Sequence, residues 1–204
     1  ATADDVRAFF RRYYHPANAS LVIAGDAAAD EALDLAARYF GDIPAGAPPG
    51  PVAPAPARAV PARRLIEDRV ELPRLYLGWL TPAMYADGDA DLDLLADVLA
   101  AGKASRLYRA LVFERRIATD VAAYQGSREL GSAFQIVATA VPGVDLGTLE
   151  RAIHDELDRV RIGGVSADEL ARTLALTETA FVWRLQTVGG FGGKSDQLNN
   201  YNVF

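Results

Sequence analysis

The side chains that most often act as general bases and metal ligands are scarce in this sequence. Its 204 residues include two histidines, His15 and His154, and no cysteine. A zinc site of the H-x-x-E-H type needs two histidines on one helix face with a carboxylate base, and neither this motif nor its inverse occurs. We therefore predict no catalytic residue and no metal-ligating residue within this chain.

Both histidines are interpreted as structural residues. His15 comes directly before Pro16 at the end of a predicted helix, where the helix dipole favours an imidazole. His154 lies on another predicted helix, with Glu150 and Asp158 four residues away on either side. Because residues at this spacing are neighbours on a helix surface, we expect a solvated His154 paired with these carboxylates.

Neither a nucleophilic serine nor a phosphate-binding loop is indicated. No G-x-S-x-G elbow surrounds Ser105 or Ser166, and both are predicted to cap helices. The glycine-rich run at residues 189–195 contains Gly-Lys-Ser, but it follows a helix instead of a strand and lacks the spacing of a phosphate loop. We interpret this run as a hinge or loop.

Two aromatic residues are the candidates for binding. Tyr76 and Trp79 lie on a strand predicted over residues 75–81, and their spacing places them on opposite faces. At most one of them is therefore expected in the core. The other is available to contact a partner or an extended peptide, so Tyr76 and Trp79 are our substrate-binding candidates.

The order of predicted elements indicates the fold class. Apolar residues recur at helical spacing in segments that cover residues 3–14, 29–40, 90–101, a stretch after 105, 145–163 and 166 to about 187. Short apolar or alternating runs predict strands over residues 20–26, 65–72, 75–81, 119–126 and 132–142. We expect an α+β fold: a two-layer sandwich whose largely antiparallel sheet is covered on one face by helices, and not a doubly wound parallel sheet.

Composition excludes several classes of protein. Hydrophobic residues make up 50% and charged residues 24%, as in soluble globular domains and unlike disordered chains. No run approaches the roughly 18 apolar residues of a membrane-spanning helix. The net charge of −6 disfavours nucleic acid as a partner. Residues 44–61, rich in proline and alanine, are predicted to be a linker or a surface excursion.

Three segments together resemble the M16 family of zinc metallopeptidases, the insulinase, pitrilysin and mitochondrial processing peptidase type. They are VRAFFRRYYHPANASLVIAGD at residues 6–26, AGKASRLYRAL at residues 101–111, and the glycine-rich tail that ends at residue 204. The resemblance implies the second, inactive, C-terminal-type domain of that family, with the fold of the LuxS and mitochondrial processing peptidase metallohydrolases. It also implies one domain over residues 1–204, as a fragment of a longer chain.

The resemblance places the chemistry elsewhere. Zinc is implied in the catalytic domain of the parent protein, whose motif would lie upstream, and no cofactor is implied in this fragment. Some family members carry an Arg and a Tyr that assist the substrate carbonyl, but Val112 and Thr119 stand at the matching positions. The fragment is therefore expected to be inactive alone, as part of a zinc metalloendopeptidase.

The function implied by the resemblance is that of a non-catalytic domain that shapes a substrate chamber and helps to bind extended peptides. Its implied partners are sister M16 domains in the same chain or in a partner subunit, together with a peptide substrate. An alternative stays open: an assembly or binding subunit, or a degenerate homologue with no peptidase role. Long bacterial members imply a periplasmic or otherwise exported location, and a cytoplasmic one stays open.

Overall fold

The computed structural model describes residues 1–54 and 60–204 of the chain. The chain divides into two compact units, one formed by Ala1–Val52 with Glu178–Phe204 and the other by Ala53–Thr177. The prediction of one domain over residues 1–204 is not tested by this division and stays a prediction.

The helices and strands follow one another in the order expected of a mixed α+β chain. They are α1 (Ala3–Tyr13), a 3-10 turn (Pro16–Asn18), α2 (Ala29–Phe40), β1 (Arg74–Thr81), α3 (Asp89–Ala100), a π-helix (Tyr108–Glu114), β2 (Ala118–Gly126), β3 (Ser132–Ala140), α4 (Leu146–Gly163), α5 (Ala167–Arg184) and α6 (Lys194–Val203).

The second unit contains the sheet. Its three strands are antiparallel in the order β1-β3-β2, so β3 lies in the middle. Trp79 of β1 pairs with Phe134 of β3 and Ala123 of β2 pairs with Ile136. Because side chains alternate along a strand, this register gathers every second residue of β3 on one face.

That face carries the core. Ile136 of β3 is fully buried, as are Leu99 of α3, Leu111 of the π-helix, and Leu149 and Ile153 of α4. These residues form one apolar cluster, so helices cover one face of the sheet. The predicted two-layer α+β fold is confirmed.

The first unit is built from α1, α2 and α6. Thr2 and Asp5 form the predicted capping box: each side chain accepts a hydrogen bond from the backbone N–H of the other. No residue of α1, α2 or α6 is buried. The helices of this unit therefore keep their apolar side chains at its surface.

Several predicted element boundaries are confirmed, and Asp145 caps α4 through the backbone N–H of Thr148 as expected. Ser166 caps α5 in a box with Glu169. Ser105 stands at the start of a helix, as predicted, and its carbonyl oxygen accepts from the Arg109 backbone N–H, but its hydroxyl donates to the Gly102 carbonyl instead of accepting from the first turn. Helix α6 was not predicted, because its sequence is largely polar and lacks an apolar stripe.

The strands predicted over residues 20–26 and 65–72 are wrong. Both stretches lack regular secondary structure, and Leu21, Ile23, Leu65 and Ile66 are exposed. A strand needs a neighbour to satisfy its backbone groups, and the sheet of the described residues has only three members. Apolar pattern without a pairing partner does not make a strand.

The predicted linker at residues 44–61 falls partly outside the described residues, at 55–59. The described parts, 44–54 and 60–61, contain neither helix nor strand. Prolines lack the backbone N–H that a ladder or a helix requires, which explains the absence of regular structure there.

Candidate peptide-binding surface

The two candidate aromatics lie on opposite faces of β1, as their spacing predicts. Trp79 is on the core side with Leu75 and Leu77, is 38% exposed, and its ring centroid lies 6.1 Å from that of Phe134. Tyr76 points to the other face and is 65% exposed. Of the pair, Tyr76 is the more exposed side chain and lies on the face away from the core.

The face of the sheet opposite the core is here called the open face. The residues on this face form four rows, and each row contains one residue from β1, its partner on β3 and that residue's partner on β2. The four rows are Leu80, Ala133 and Gly126; Gly78, Gln135 and Tyr124; Tyr76, Val137 and Ala122; and Arg74, Thr139 and Asp120. All but the buried Thr139 are exposed or half-buried.

Hydrogen bonds hold the polar side chains of the open face in place. The Tyr124 hydroxyl donates to Oε1 of Gln135 at 3.2 Å. Arg74 Nε donates to the Thr139 hydroxyl at 3.1 Å, at the row that also carries Asp120. The surface therefore combines an apolar centre with a charged row, which suits an extended chain of mixed side chains.

One long edge of the sheet is open to pairing. Within the described residues β1 pairs only with β3, so its outer backbone edge has no strand neighbour. Gly78 carries no side chain at the middle of β1 and leaves a gap between Tyr76 and Leu80 on the open face. An unpaired edge of this kind accepts an extended peptide as an additional strand.

Sequence reasoning missed Tyr124 and Leu80 as members of this surface. Both are exposed. The period of two in the predicted strands contains the signal, because Tyr124 alternates with the buried Val121 and the half-buried Ala123. The sequence does not reveal the strand register. That register places Tyr124 of β2 in the same row as Gly78 of β1, with Gln135 of β3 between them.

Neither histidine belongs to this surface. His15 has Nδ1 at 2.9 Å from the Ala45 carbonyl oxygen and Nε2 at 3.0 Å from that of Arg12, so it joins the end of α1 to the chain after α2. The contact with Arg12 agrees with the helix C-terminal role predicted for His15.

His154 is exposed on α4, as predicted, but the ion pairs expected for it are wrong. Glu150 pairs with Arg63 at 2.5 Å and Asp158 with Arg161 at 3.1 Å. Arginine presents a guanidinium fork that matches a carboxylate better than an imidazole does, which explains the choice of partner.

The chemistry of the described residues does not fit a zinc ion. Across residues 1–54 and 60–204, no group of three or more His, Asp or Glu side chains could hold a metal. Val112 is half-buried in the π-helix, and Thr119 is exposed on β2 with its hydroxyl donating to Asp120. Neither supplies the guanidinium or phenol that would stabilise a reacting carbonyl.

A half-buried ion pair links two of the helical segments of the second unit. Arg106 donates to both carboxylate oxygens of Glu169, each at 2.7 Å, and to the Gly164 carbonyl oxygen at 3.0 Å. The Arg106 guanidinium, and next the backbone and hydroxyl of Ser166, lower the pKa of Glu169 to about 2 against the opposing effect of burial. This pair joins the chain after α3 to the start of α5 and is structural.

Solved structures share this fold. A protease from Helicobacter pylori superposes with a TM-score of 0.82 at 25% identity, over 92% of this chain and 46% of its own. A peptidase M16 inactive domain from Pseudomonas fluorescens gives 0.79 at 18% identity, over 100% and 48%. The periplasmic protease PqqL from Escherichia coli gives 0.63 at 18%, over 100% and 23%. The last two, at this identity, show the fold alone.

The curated relatives are more than twice as long as the stretch they share with this chain. The zinc protease PqqE of Helicobacter pylori is 25% identical over 196 residues, which make up 94% of this chain and 44% of the relative. None of the helices within the described residues is both long and apolar enough to cross a membrane. The family described as the peptidase M16 inactive domain matches residues 1–176. The chain therefore belongs to the peptidase M16 inactive-domain family.

Proposed function

We propose that this chain is the non-catalytic part of a zinc-dependent endopeptidase, in which it lines the substrate chamber and holds an extended peptide. The single observation that carries the proposal is the outer edge of β1, which has no strand neighbour within the described residues and lies beside the exposed Tyr76. A peptide added along this edge gains backbone hydrogen bonds whatever its sequence. Alternate side chains of the peptide then lie over the open face.

The zinc ion and its ligands belong, in this proposal, to another part of the parent protein. The family is named for an inactive domain, and the Helicobacter pylori relative is named a zinc protease. The two histidines of this chain, His15 and His154, do not stand in the H-x-x-E-H spacing, and no group of three or more His, Asp or Glu side chains within the described residues could hold a metal. Its contribution is to position a peptide, and the sister domain supplies the chemistry.

A second candidate function is an assembly or binding subunit without a peptidase role. This chain matches less than half of PqqE, so the choice between the two functions depends on what the rest of the parent protein encodes. If the parent reading frame encodes an H-x-x-E-H motif, the peptidase proposal holds; if it does not, the binding subunit is the better description. Export to the periplasm is likewise proposed and is tested by fractionating cells that express the complete reading frame.

The binding step can be measured with the chain itself. The probe is a fluorescein-labelled peptide of about ten alternating apolar and polar residues, long enough to cover the eight residues of β1. Fluorescence anisotropy reports its affinity for residues 1–204. Tyr76→Ala is expected to weaken binding about tenfold, as for an aromatic contact at the centre of an interface.

Two controls distinguish binding by strand addition from nonspecific binding of the peptide. Tyr39 of α2 is 67% exposed, close to the exposure of Tyr76, so Tyr39→Ala matches the change while lying in the first unit. A second probe is N-methylated at every amide along its central stretch, so neither of its edges can donate backbone hydrogen bonds to a strand. Equal loss with Tyr39→Ala, or unchanged affinity for the methylated probe, would contradict the proposed binding mode.

A further inference from the structure

The loop between β1 and α3 presents an aromatic side chain from a strained backbone. This loop covers residues 82–88 and contains neither helix nor strand. Within it, Tyr85 has a φ of 63°, in the left-handed region, and its side chain is 54% exposed. A bulky side chain crowds the backbone in this region, so few residues other than glycine adopt it. Such a conformation persists only where the surrounding structure holds it in place.

The position of Tyr85 in its turn is one that glycine usually occupies. The Ala86 N–H donates to the Ala83 carbonyl oxygen at 3.0 Å and closes a turn in which Tyr85 is the third residue. A positive φ at the third position occurs in type II turns, where glycine or asparagine avoids the strain. Local backbone preference therefore does not explain why a tyrosine stands here.

Hydrogen bonds to two other elements hold the loop in this conformation. The Tyr85 N–H donates to Oδ2 of the buried Asp89, in α3, at 3.0 Å. Oδ1 of Asp89 accepts from Gln125 Nε2 of β2 at 2.9 Å. The Met84 N–H donates to the Arg128 carbonyl oxygen, just after β2, at 2.9 Å. The backbone of Tyr85 is thus fixed from both sides, which preorganises its side chain for a contact.

The ring of Tyr85 lies outside the core. Tyr85 belongs neither to the buried apolar cluster of the second unit nor to the half-buried side chains packed against it. Its side chain follows the last residue of β1, Thr81, by four positions. Strained residues of this kind cluster at binding and active sites, where the conformation serves the contact that the side chain makes. Strain and exposure together indicate that Tyr85 contacts a ligand.

We propose that Tyr85 is a second peptide-contact residue, which binds the part of an extended peptide that continues past the end of β1 at Thr81. The inference rests on the proposed function, because it lengthens the same peptide site. The eight residues of β1 span roughly 27 Å, so a bound peptide of about ten residues extends beyond the strand. The tyrosine ring and hydroxyl suit contacts with a chain of mixed side chains.

Opposite effects on stability and on binding test this role. Tyr85→Asn removes the ring and introduces a residue that tolerates the left-handed conformation. Its thermal unfolding midpoint is expected to stay the same or to rise by about 2–4 °C, because the backbone strain is relieved. Its affinity for the fluorescein-labelled peptide is expected to fall about fivefold, through loss of an aromatic contact. A residue that serves only the fold loses stability when it is replaced.

Two matched variants separate the ring of Tyr85 from its backbone conformation. Tyr85→Phe keeps the ring and is expected to bind the peptide within about twofold of the wild-type affinity. Arg116 is the control for the backbone, because its φ is 52° and it is exposed between the π-helix and β2. Arg116→Asn relieves the same conformation at a second place and is expected to leave the affinity unchanged.

The other outcomes overturn the inference. Unchanged affinity of Tyr85→Asn removes Tyr85 from the binding surface, and a fall in both stability and affinity assigns it a structural role. An equal loss of affinity in Arg116→Asn shows that the loss does not depend on the position of the ring. If Tyr76→Ala weakens binding and Tyr85→Asn does not, the proposed function stands and this inference fails. If the wild-type chain binds no peptide, both fail.

Discussion

Trp79 of β1 lies directly opposite Phe134 of β3, with ring centroids 6.1 Å apart. Phe134 is buried, so this contact attaches the outer strand to the core through its inward face. Because side chains alternate, the same contact directs Tyr76 to the open face. One cross-strand aromatic pair therefore both stabilises β1 and presents the residue proposed to bind peptide.

Replacing Trp79 and Tyr76 one at a time is expected to affect the free energy of unfolding to different extents. Trp79→Ala is expected to lower the free energy of unfolding by about 1–3 kcal/mol, since it removes a partly buried ring and its aromatic contact. Tyr76→Ala, at an exposed position, is expected to change it by less than about 0.5 kcal/mol. Urea unfolding followed by circular dichroism measures both, and equal losses would contradict the assignment of the two faces.

The ion pair of Arg106 and Glu169 predicts a specific loss of stability in acid. The pKa of Glu169 falls from an ordinary 4.5 to about 2, chiefly through the Arg106 guanidinium. A lowered carboxyl pKa contributes stability that is present above the unfolded pKa and is lost as the pH falls toward the folded one. Between pH 5 and pH 3.5, the wild-type chain should lose about 1 kcal/mol more than Glu169→Gln.

Urea unfolding at the two pH values gives this difference. Asp155→Asn is the control, because its pair with Arg115 spans 3.6 Å between exposed side chains and should contribute little. The same pH dependence in Glu169→Gln as in the wild type would show that Glu169 does not titrate as a lowered carboxyl group.

Asp89, at the start of α3, is a second position where a substitution is expected to lower the stability of the fold. Its buried carboxylate accepts hydrogen bonds from Ser127 Oγ at 2.6 Å, Gln125 Nε2 at 2.9 Å and the backbone N–H of Tyr85 at 3.0 Å. Burial raises its pKa, but these donors outweigh burial and hold the pKa below its ordinary value. Asp89→Asn replaces one acceptor oxygen by a donor and should lower the free energy of unfolding by about 1–3 kcal/mol.

Asp91→Asn is the matched control for Asp89→Asn, because Asp91 is exposed in the same first turn of α3 and its replacement removes the same charge at the helix N-terminus. Chemical unfolding of the two variants side by side isolates the hydrogen bonds. Similar costs for both would mean that the helix dipole, and not the network, accounts for the effect.

The parts of the fold that local physics decides were predictable from the sequence. The capping pairs Thr2 with Asp5 and Ser166 with Glu169 form as their spacing indicates, since each needs only a helical turn. Strands β2 and β3 were also predictable, because they are neighbours in sequence and alternate clearly. Short-range pattern is enough where the partner is a few residues away.

Long-range pairing was not predictable in the same way. Leu21 and Leu65 lie in segments with the composition of strands, yet neither stretch is paired in the described residues, because a strand depends on a neighbour that its own sequence does not specify. At the binding surface, spacing placed Tyr76 and Trp79 on opposite faces. Their assignment to the open face and the core required the position of Phe134.

The most direct test of the account compares zinc-dependent hydrolysis by two proteins. The complete reading frame and residues 1–204 are purified and incubated with a quenched fluorescent peptide, with and without a chelator. We expect the complete protein to cleave the peptide in a reaction that the chelator abolishes, and residues 1–204 to show no cleavage. Chelator-sensitive cleavage by residues 1–204 alone, retained through purification, would contradict it.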